Sequence, residues 1–158
     1  GYNMIDKNYD EFLETTGASR NLVEDINNFL LDSNCKREIK TAKSGFTVSY
    51  LFRDTKKTLA TFVCRKTGIK IRIFPQHLNE YMGFLDTLPA KMKKEIAKAS
   101  VCKRLVNPND CNPKCVMGYD FIMDKERYQK CRYMAFMPSI TEESTPYIKR
   151  FLQNELLQ

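Results

Sequence analysis

Two short segments rich in β-branched and apolar residues flank a threonine–glycine pair, and this pattern constrains the fold more than any other in the chain. Residues 59–66 precede Thr67-Gly68, and residues 69–74 follow it. Two such segments separated by two residues that end in glycine predict a β-hairpin. Pro75 ends the second strand, because proline cannot donate a backbone hydrogen bond to a ladder. The centre of the fold is therefore predicted to be an antiparallel hairpin.

The register of this hairpin predicts which of its side chains lie in the core. With Thr67-Gly68 as the turn, Cys64 opposes Ile71 and Phe62 opposes Ile73. Side chains directly opposite each other share one face of a sheet. The apolar face is then formed by Phe62, Cys64, Ile69, Ile71 and Ile73. Cys64 is accordingly predicted to be a core residue.

The other predicted elements fall into separate runs of helices and strands. Helices are predicted over 9–14, 19–33, 76–86 and 89–100 and from Thr145, and strands from Ile39 and over 46–52, 119–123 and 128–137. Such segregated runs are typical of the α+β class. We expect a mostly antiparallel sheet of about five strands flanked by helices, in a single domain over residues 1–158.

Charge and hydropathy favour anionic partners and a location outside membranes. The chain carries 26 basic and 19 acidic residues, for a net charge of +7, which favours anionic partners. No run of apolar residues is long enough to span a membrane. The polar N-terminal stretch lacks the apolar core of a signal peptide, so we expect a cytoplasmic protein without membrane contact.

Four cysteines cluster in the second half of the sequence. Cys102, Cys111, Cys115 and Cys131 follow the spacing C-x8-C-x3-C-x15-C, and three of them lie in a turn-rich loop at about 102–118. Four thiolates can bind zinc tetrahedrally and fix a loop to the rest of a domain. We therefore predict that these four residues are candidate ligands of a structural zinc ion.

Two other interpretations of the four cysteines stay open at this stage. In the first, the four cysteines form one or two disulfides, which requires an oxidising compartment. In the second, they are reduced thiols. The remaining cysteine outside the hairpin, Cys35, has no evident partner and is interpreted as structural or incidental. A closed shell of four cysteines leaves no coordination position for catalysis, so each interpretation gives the cluster a structural role.

The cysteine-bearing region carries a resemblance to a family of proteins. The segments 101–105, 111–115, 118–121 and 129–132 read VCKRL, CNPKC, GYDF and QKCR. Together they resemble a signature in small bacterial proteins, over about a quarter of the chain. The hairpin and the helix after Pro75 are similar, more loosely, to small α+β domains of the YdhG and YjbR-like type. The resemblance implies a compact antiparallel sheet flanked by helices, a bacterial cytosolic origin and no particular activity.

The remaining patterns favour a binding function over catalysis. The sequence contains no phosphate loop, no GxGxxG and no GxSxG, and its single histidine, His77, is interpreted as a surface residue. Five tyrosines are candidates either for the core or for a cleft with polar tips: Tyr50, Tyr81, Tyr119, Tyr128 and Tyr133. We favour a noncatalytic domain that binds or senses a small molecule.

A nucleic-acid-binding module is the alternative function. It would use the basic stretch Lys91–Arg104 to contact phosphates. The basic residues of the hairpin, such as Arg65, Lys70 and Arg72, lie on the face opposite its apolar residues. We interpret the basic helix and this face primarily as solvated surfaces, since few aromatic residues interleave with the cations.

Overall fold

Helices and strands follow one another in separate runs along the chain. A computed structural model describes residues 4–109 and 112–158. The helices are α1 (Met4–Glu14), α2 (Arg20–Asp32), α3 (Ala90–Lys98), α4 (Lys103–Val106) and α5 (Thr145–Leu156). The strands are β1 (Lys36–Ala42), β2 (Gly45–Leu51), β3 (Thr58–Arg65), β4 (Gly68–Ile73), β5 (Tyr119–Met123) and β6 (Glu126–Lys130). The predicted α+β class is confirmed.

The described strands form two antiparallel sheets. The larger sheet has the order β1-β2-β3-β4, and β5 and β6 form a separate hairpin. The prediction of about five strands in one sheet is therefore close in number, but the strands divide four and two. None of the helices in these residues has the length and apolar character needed to cross a membrane.

The outer edge of β4 is covered by an extended segment, residues 136–140. Three backbone hydrogen bonds of 2.8 to 3.1 Å join this segment to β4 in an antiparallel direction. Pro138 lies in the segment and has no N–H group, so the ladder stays irregular. The predicted strand over 128–137 is thus wrong as one element, because a turn at 131–134 separates β6 from this edge segment.

The hairpin register differs by two residues from the prediction. Arg65 pairs with Gly68, and Cys64 pairs with Ile69. Lys66 and Thr67 form the turn, and Gly68 is the first residue of β4. Gly68 has a φ of +132°, a backbone angle that glycine adopts readily and that a β-branched residue such as threonine would adopt only with strain. A shift of two residues leaves each side chain on its predicted face.

The core position predicted for Cys64 is wrong. Phe62 and its apolar partners on β4 are buried, as expected from their face. Cys64 shares that face but is exposed at the turn end of the hairpin, although Ile69 directly opposite it is buried. Burial along a strand depends on what lies over it, which the register does not fix.

The single helix predicted over 76–86 is replaced by two 3-10 helices, Leu78–Glu80 and Met82–Thr87. Tyr81 lies between them at φ −145° and ψ 30°, outside the helical region. Its hydroxyl donates a short hydrogen bond to the Glu155 carboxylate of α5. This tertiary contact holds Tyr81 in place and interrupts the helical pattern that the sequence suggests.

Aromatic side chains connect the helices to the sheet. Phe12 of α1 lies 5.6 Å from Phe62 of β3, measured between ring centroids. Phe151 of α5 contacts Phe136 at 5.3 Å and Phe84 at 5.7 Å. Such ring pairs add to the stability that their buried area provides. They fix α1 and α5 at opposite parts of one continuous core.

A buried polar network joins α1, α2, β1 and β2. The Asn27 side-chain oxygen accepts hydrogen bonds from Tyr50 at 2.6 Å and from Arg37 at 2.9 Å. The Arg37 guanidinium lies 4.0 Å from the ring centroid of Tyr9. The Tyr9 hydroxyl is buried and has no hydrogen-bond partner among the described residues. Burial raises the pKa of Tyr9 to about 12, although the Arg37 charge opposes the change.

We predict that Tyr9→Phe makes the protein more resistant to alkaline unfolding. The unfolded chain loses the Tyr9 proton near its ordinary pKa of about 10, whereas the folded chain keeps it to about 12. Stability is therefore unaffected by this group below pH 10 and falls as the pH rises toward 12. The melting temperature of the variant should fall less between pH 9 and pH 11 than that of the unsubstituted protein. Equal falls in the two proteins would contradict the prediction.

Candidate functional site

A cleft opens where the turn at 131–134 meets the segment that follows β4. Its two halves have volumes of about 540 Å³ and 350 Å³ and share Gln76 and Arg132. The Lys56 half is lined by Lys56, Lys57, Thr58, Phe74, Val116 and Tyr133. The His77 half is lined by residues 75 and 77–80 and by 118–120. We call the whole the Arg132 cleft, and its volumes lie in the range typical of small-molecule sites.

Arg132 separates the two halves and is held by aromatic rings. Its guanidinium carbon lies 5.2 Å from the ring centroid of Tyr119 and 5.7 Å from that of Phe74. These are distances at which a cation is attracted to the face of a ring. Within the described part of the chain, Arg132 forms no ion pair with a carboxylate. Its five N–H donors are therefore not used by an internal anion.

Backbone hydrogen bonds fix the turn that carries Arg132. The backbone N–H of Cys131 donates to the Ser100 carbonyl at 2.7 Å. The Arg72 side chain donates from Nε to the Tyr133 carbonyl at 2.6 Å. Burial, together with the nearby Arg65 charge, lowers the pKa of Arg72. Because β4 and the chain after α3 both hold this turn, Arg132 is presented from a defined position.

The Lys56 half combines cations with apolar and aromatic surface. Lys56 and Lys57 are exposed and lie in the loop between β2 and β3. Backbone hydrogen bonds close this loop, from Lys56 N–H to the Phe52 carbonyl at 2.8 Å and from Phe52 N–H to the Lys57 carbonyl at 2.9 Å. The Phe74 and Tyr133 rings meet edge to face at 5.9 Å. No aspartate or glutamate of the described chain lines this half.

The chain that lines the His77 half is held from behind by the buried carboxylate of Glu155, which is 1% exposed and does not itself line the cleft. This carboxylate accepts the backbone N–H groups of Gln76 and His77, both at 2.9 Å. The Tyr81 hydroxyl donates to the same carboxylate. Burial and then this hydrogen bond raise the pKa of Tyr81 far above its ordinary value. These bonds fix the course of the chain along this wall of the cleft.

Two further groups on this wall differ in their hydrogen bonding. The Tyr119 hydroxyl is buried without a partner in the described residues, and burial raises its pKa well above the ordinary value. The Asp120 carboxylate is instead engaged by Arg127, at 2.9 Å and 2.6 Å. Those hydrogen bonds lower the pKa of Asp120. Asp120 therefore does not neutralise Arg132, although both line the cleft.

The structure places the candidate residues of the sequence in different environments. Tyr119 and Tyr133 line the cleft, whereas Tyr50 lies fully in the core. Tyr81 and Tyr128 pack partly buried against the core. His77 is exposed, as predicted.

Sequence reasoning missed Arg132, Phe74 and Gln76 as residues of one site. The available signal was that Arg132 stands among aromatic residues, although it lay within the strand predicted over 128–137. The sequence did not reveal that 131–134 folds back beside the end of β4.

The described cysteines do not assemble into a metal site. Cys102 is buried, and its sulfur accepts the Gly118 N–H at 3.3 Å. Cys115 and Cys131 are half-buried. Among residues 4–109 and 112–158, no three cysteine, histidine or carboxylate side chains form a group that could hold a metal ion. The predicted fourth ligand, Cys111, lies outside the described residues, so the zinc site stays a prediction.

No disulfide joins any two of the five described cysteines. Cys35 is buried, consistent with a structural residue, and burial raises the pKa of its thiol. The loop that carries the predicted cluster contains the short helix α4, held by Arg104. The Arg104 guanidinium donates to the Pro113 carbonyl at 3.2 Å and also to the carbonyl of Cys115.

The basic stretch Lys91–Arg104 is only partly available for binding phosphates. Lys93 pairs with Asp124 at 2.9 Å, and Arg104 is engaged by the carbonyls just described. Lys91, Lys94 and Lys98 are exposed on α3. Nearby, the buried Lys130 ammonium donates to the carbonyls at the end of α3, which stabilises the helix C-terminus.

Comparisons with known proteins give this chain no relatives on which to base a function. No protein-family model, no curated protein and no solved structure matches it. The Arg132 cleft must therefore be interpreted from its own chemistry.

We predict that Gly118→Ala destabilises the contact between the cysteine-bearing loop and β6. A Cβ atom at position 118 would lie 2.2 Å from the Lys130 carbonyl oxygen and 2.8 Å from Cys102 Cβ. One atom is backbone, so the β5–β6 hairpin must shift. We expect a loss of about 1–3 kcal/mol in the free energy of unfolding, measured by urea denaturation.

Gly83→Ala is the matched control for this substitution. A Cβ atom at position 83 would meet nothing within 4 Å, and Gly83 is exposed. The control should therefore keep the stability of the unsubstituted protein or gain slightly, since alanine restricts the unfolded chain. Equal stability of the two variants would show that the close approach at Gly118 does not constrain the fold.

Proposed function

We propose that this protein is a noncatalytic binding or sensing domain that takes an anionic ligand in the Arg132 cleft. One observation carries the proposal. The Arg132 guanidinium lies between two aromatic rings, faces both halves of an open cleft and has no carboxylate partner in the described part of the chain. A guanidinium presents paired donors that match carboxylate and phosphate oxygens.

The other polar groups of the cleft support binding more than they support catalysis. The Lys56 half offers cations, an amide and aromatic surface. The His77 half adds His77, Glu80 and Asp120, and Asp120 is engaged by Arg127. The buried Glu155 carboxylate is used by backbone N–H groups and by Tyr81. A nucleophile paired with a base is the usual signature of covalent catalysis. Asp120 and Glu155 are already engaged, which leaves His77 and Glu80 as the cleft groups that could act as a base.

Several earlier predictions belong to the same proposal. We propose a cytoplasmic, bacterial protein, in keeping with its resemblance to small bacterial α+β domains. Nucleic-acid binding through Lys91–Arg104 is the alternative, and it has less support because Lys93 and Arg104 already have partners. The zinc-binding loop is a separate part of the proposal, and it depends on Cys111.

We predict that Arg132→Gln removes anion binding. The test compares inorganic pyrophosphate, citrate and adenosine monophosphate by isothermal titration calorimetry at low salt. At least one anion should bind, and the variant should bind it about tenfold to a hundredfold more weakly, because a charge-assisted hydrogen bond is lost.

Arg150→Gln is the matched control for Arg132→Gln. The Arg150 guanidinium lies 5.2 Å from the ring centroid of Tyr147 on α5, outside the cleft, so both variants lose one charge above a ring. The control should bind like the unsubstituted protein. The proposal fails if none of the three anions binds, or if both substitutions weaken binding equally.

The zinc hypothesis has its own measurement. If Cys102, Cys111, Cys115 and Cys131 hold zinc, elemental analysis of purified, untagged protein will give about one zinc per chain. A chelator should release it and lower the melting temperature. Protein without metal, in which all six cysteines react with a thiol reagent on unfolding, would exclude both zinc and disulfides.

A further inference from the structure

We infer that the Lys56 half of the Arg132 cleft binds a nucleotide, with its phosphate at the cations and its base against the aromatic residues. This inference rests on the proposed function and specifies the class of ligand. It depends on charge, on exposed aromatic surface and on the size of this half of the cleft.

The charges of this half favour a phosphate group. Lys56, Lys57 and Arg132 line it, and none of the three forms an ion pair with a described residue. A phosphate monoester carries a charge of about −1.5 to −2 near pH 7 and has three acceptor oxygens. It can therefore accept hydrogen bonds from both lysines and from the arginine guanidinium at the same time. A carboxylate has only two acceptor oxygens for these three cations.

The apolar surface of the same half favours a flat, aromatic part in the ligand. Tyr133 is 44% exposed, although it belongs to the well-fixed turn at 131–134. Phe74 lies beside it, and Val116 is 52% exposed on the opposite border. Cations that follow a phosphate, combined with rings on which a base can stack, are the usual elements of nucleotide recognition without strong sequence preference.

The size and polar groups of the cleft agree with a mononucleotide. The volume of about 540 Å³ is larger than an isolated phosphate requires. Gln76 and Thr58 line the same space and can exchange hydrogen bonds with a base or a sugar. The Gln76 side-chain nitrogen donates to the backbone carbonyl of Phe74 at 3.4 Å.

Three ligands that share parts of one structure test this inference. Isothermal titration calorimetry compares adenosine monophosphate with ribose 5-phosphate, which lacks the base, and with adenosine, which lacks the phosphate. Adenosine monophosphate should bind at least about tenfold more tightly than either fragment, since base stacking and phosphate contacts both contribute.

Two variants divide the site into its parts. Tyr133→Leu keeps apolar bulk but removes the ring, and it should weaken adenosine monophosphate about tenfold while leaving ribose 5-phosphate unchanged. The double variant Lys56→Gln, Lys57→Gln should weaken both phosphate ligands. Lys91→Gln, Lys94→Gln is its control, because these exposed lysines of α3 carry the same charge outside the cleft. Melting curves without ligand will show that each variant is folded.

The outcomes separate this inference from the proposed function. Equal affinity for adenosine monophosphate and ribose 5-phosphate, with binding still lost in Arg132→Gln, would overturn the nucleotide assignment and leave an anion site. If adenosine binds as tightly as adenosine monophosphate, the proposed contact between the cations and the phosphate is wrong. Failure of pyrophosphate, citrate and adenosine monophosphate to bind would overturn the anion site itself and the nucleotide with it.

Discussion

The buried Glu155 carboxylate is the interaction on which the geometry of the site depends. It lies on α5 and accepts two backbone N–H groups from the chain just after β4, together with the Tyr81 hydroxyl. A buried charge is tolerated only where such hydrogen bonds replace water. By accepting them, Glu155 connects the C-terminal helix to the centre of the sequence. It also binds the hydroxyl of Tyr81, the residue at which the chain leaves the helical conformation.

The cleft arises where regular structure stops on two sides. On one side β4 ends at Pro75, and on the other β6 ends before the turn at 131–134. The segment 136–140 then returns along β4, so the end of β4 and this turn come together. Arg132 stands at their junction, between rings from both sides. A rigid sheet edge thus positions a cation that the described carboxylates do not neutralise, which is the physical basis of the anion site.

Local sequence patterns predicted correctly those elements that have one buried side and one exposed side along their whole length. The alternating faces of β3 and β4 were correct apart from Cys64, because periodicity reports which side of a strand is buried. The predictions failed where a distant residue decides the conformation. Examples are the helix interrupted at Tyr81 and the strand divided before Pro138.

The sequence alone determined the α+β class, the antiparallel hairpin and a positive charge that favours anionic partners. It also marked Tyr119 and Tyr133 as candidates for a cleft. Only the tertiary structure decided that these tyrosines meet Arg132 and Phe74, and that the described cysteines, histidine and carboxylates form no group of three that could hold a metal ion. The physical reason is that periodicity and turn chemistry act over a few residues, whereas a site is formed by contacts between segments more than fifty residues apart.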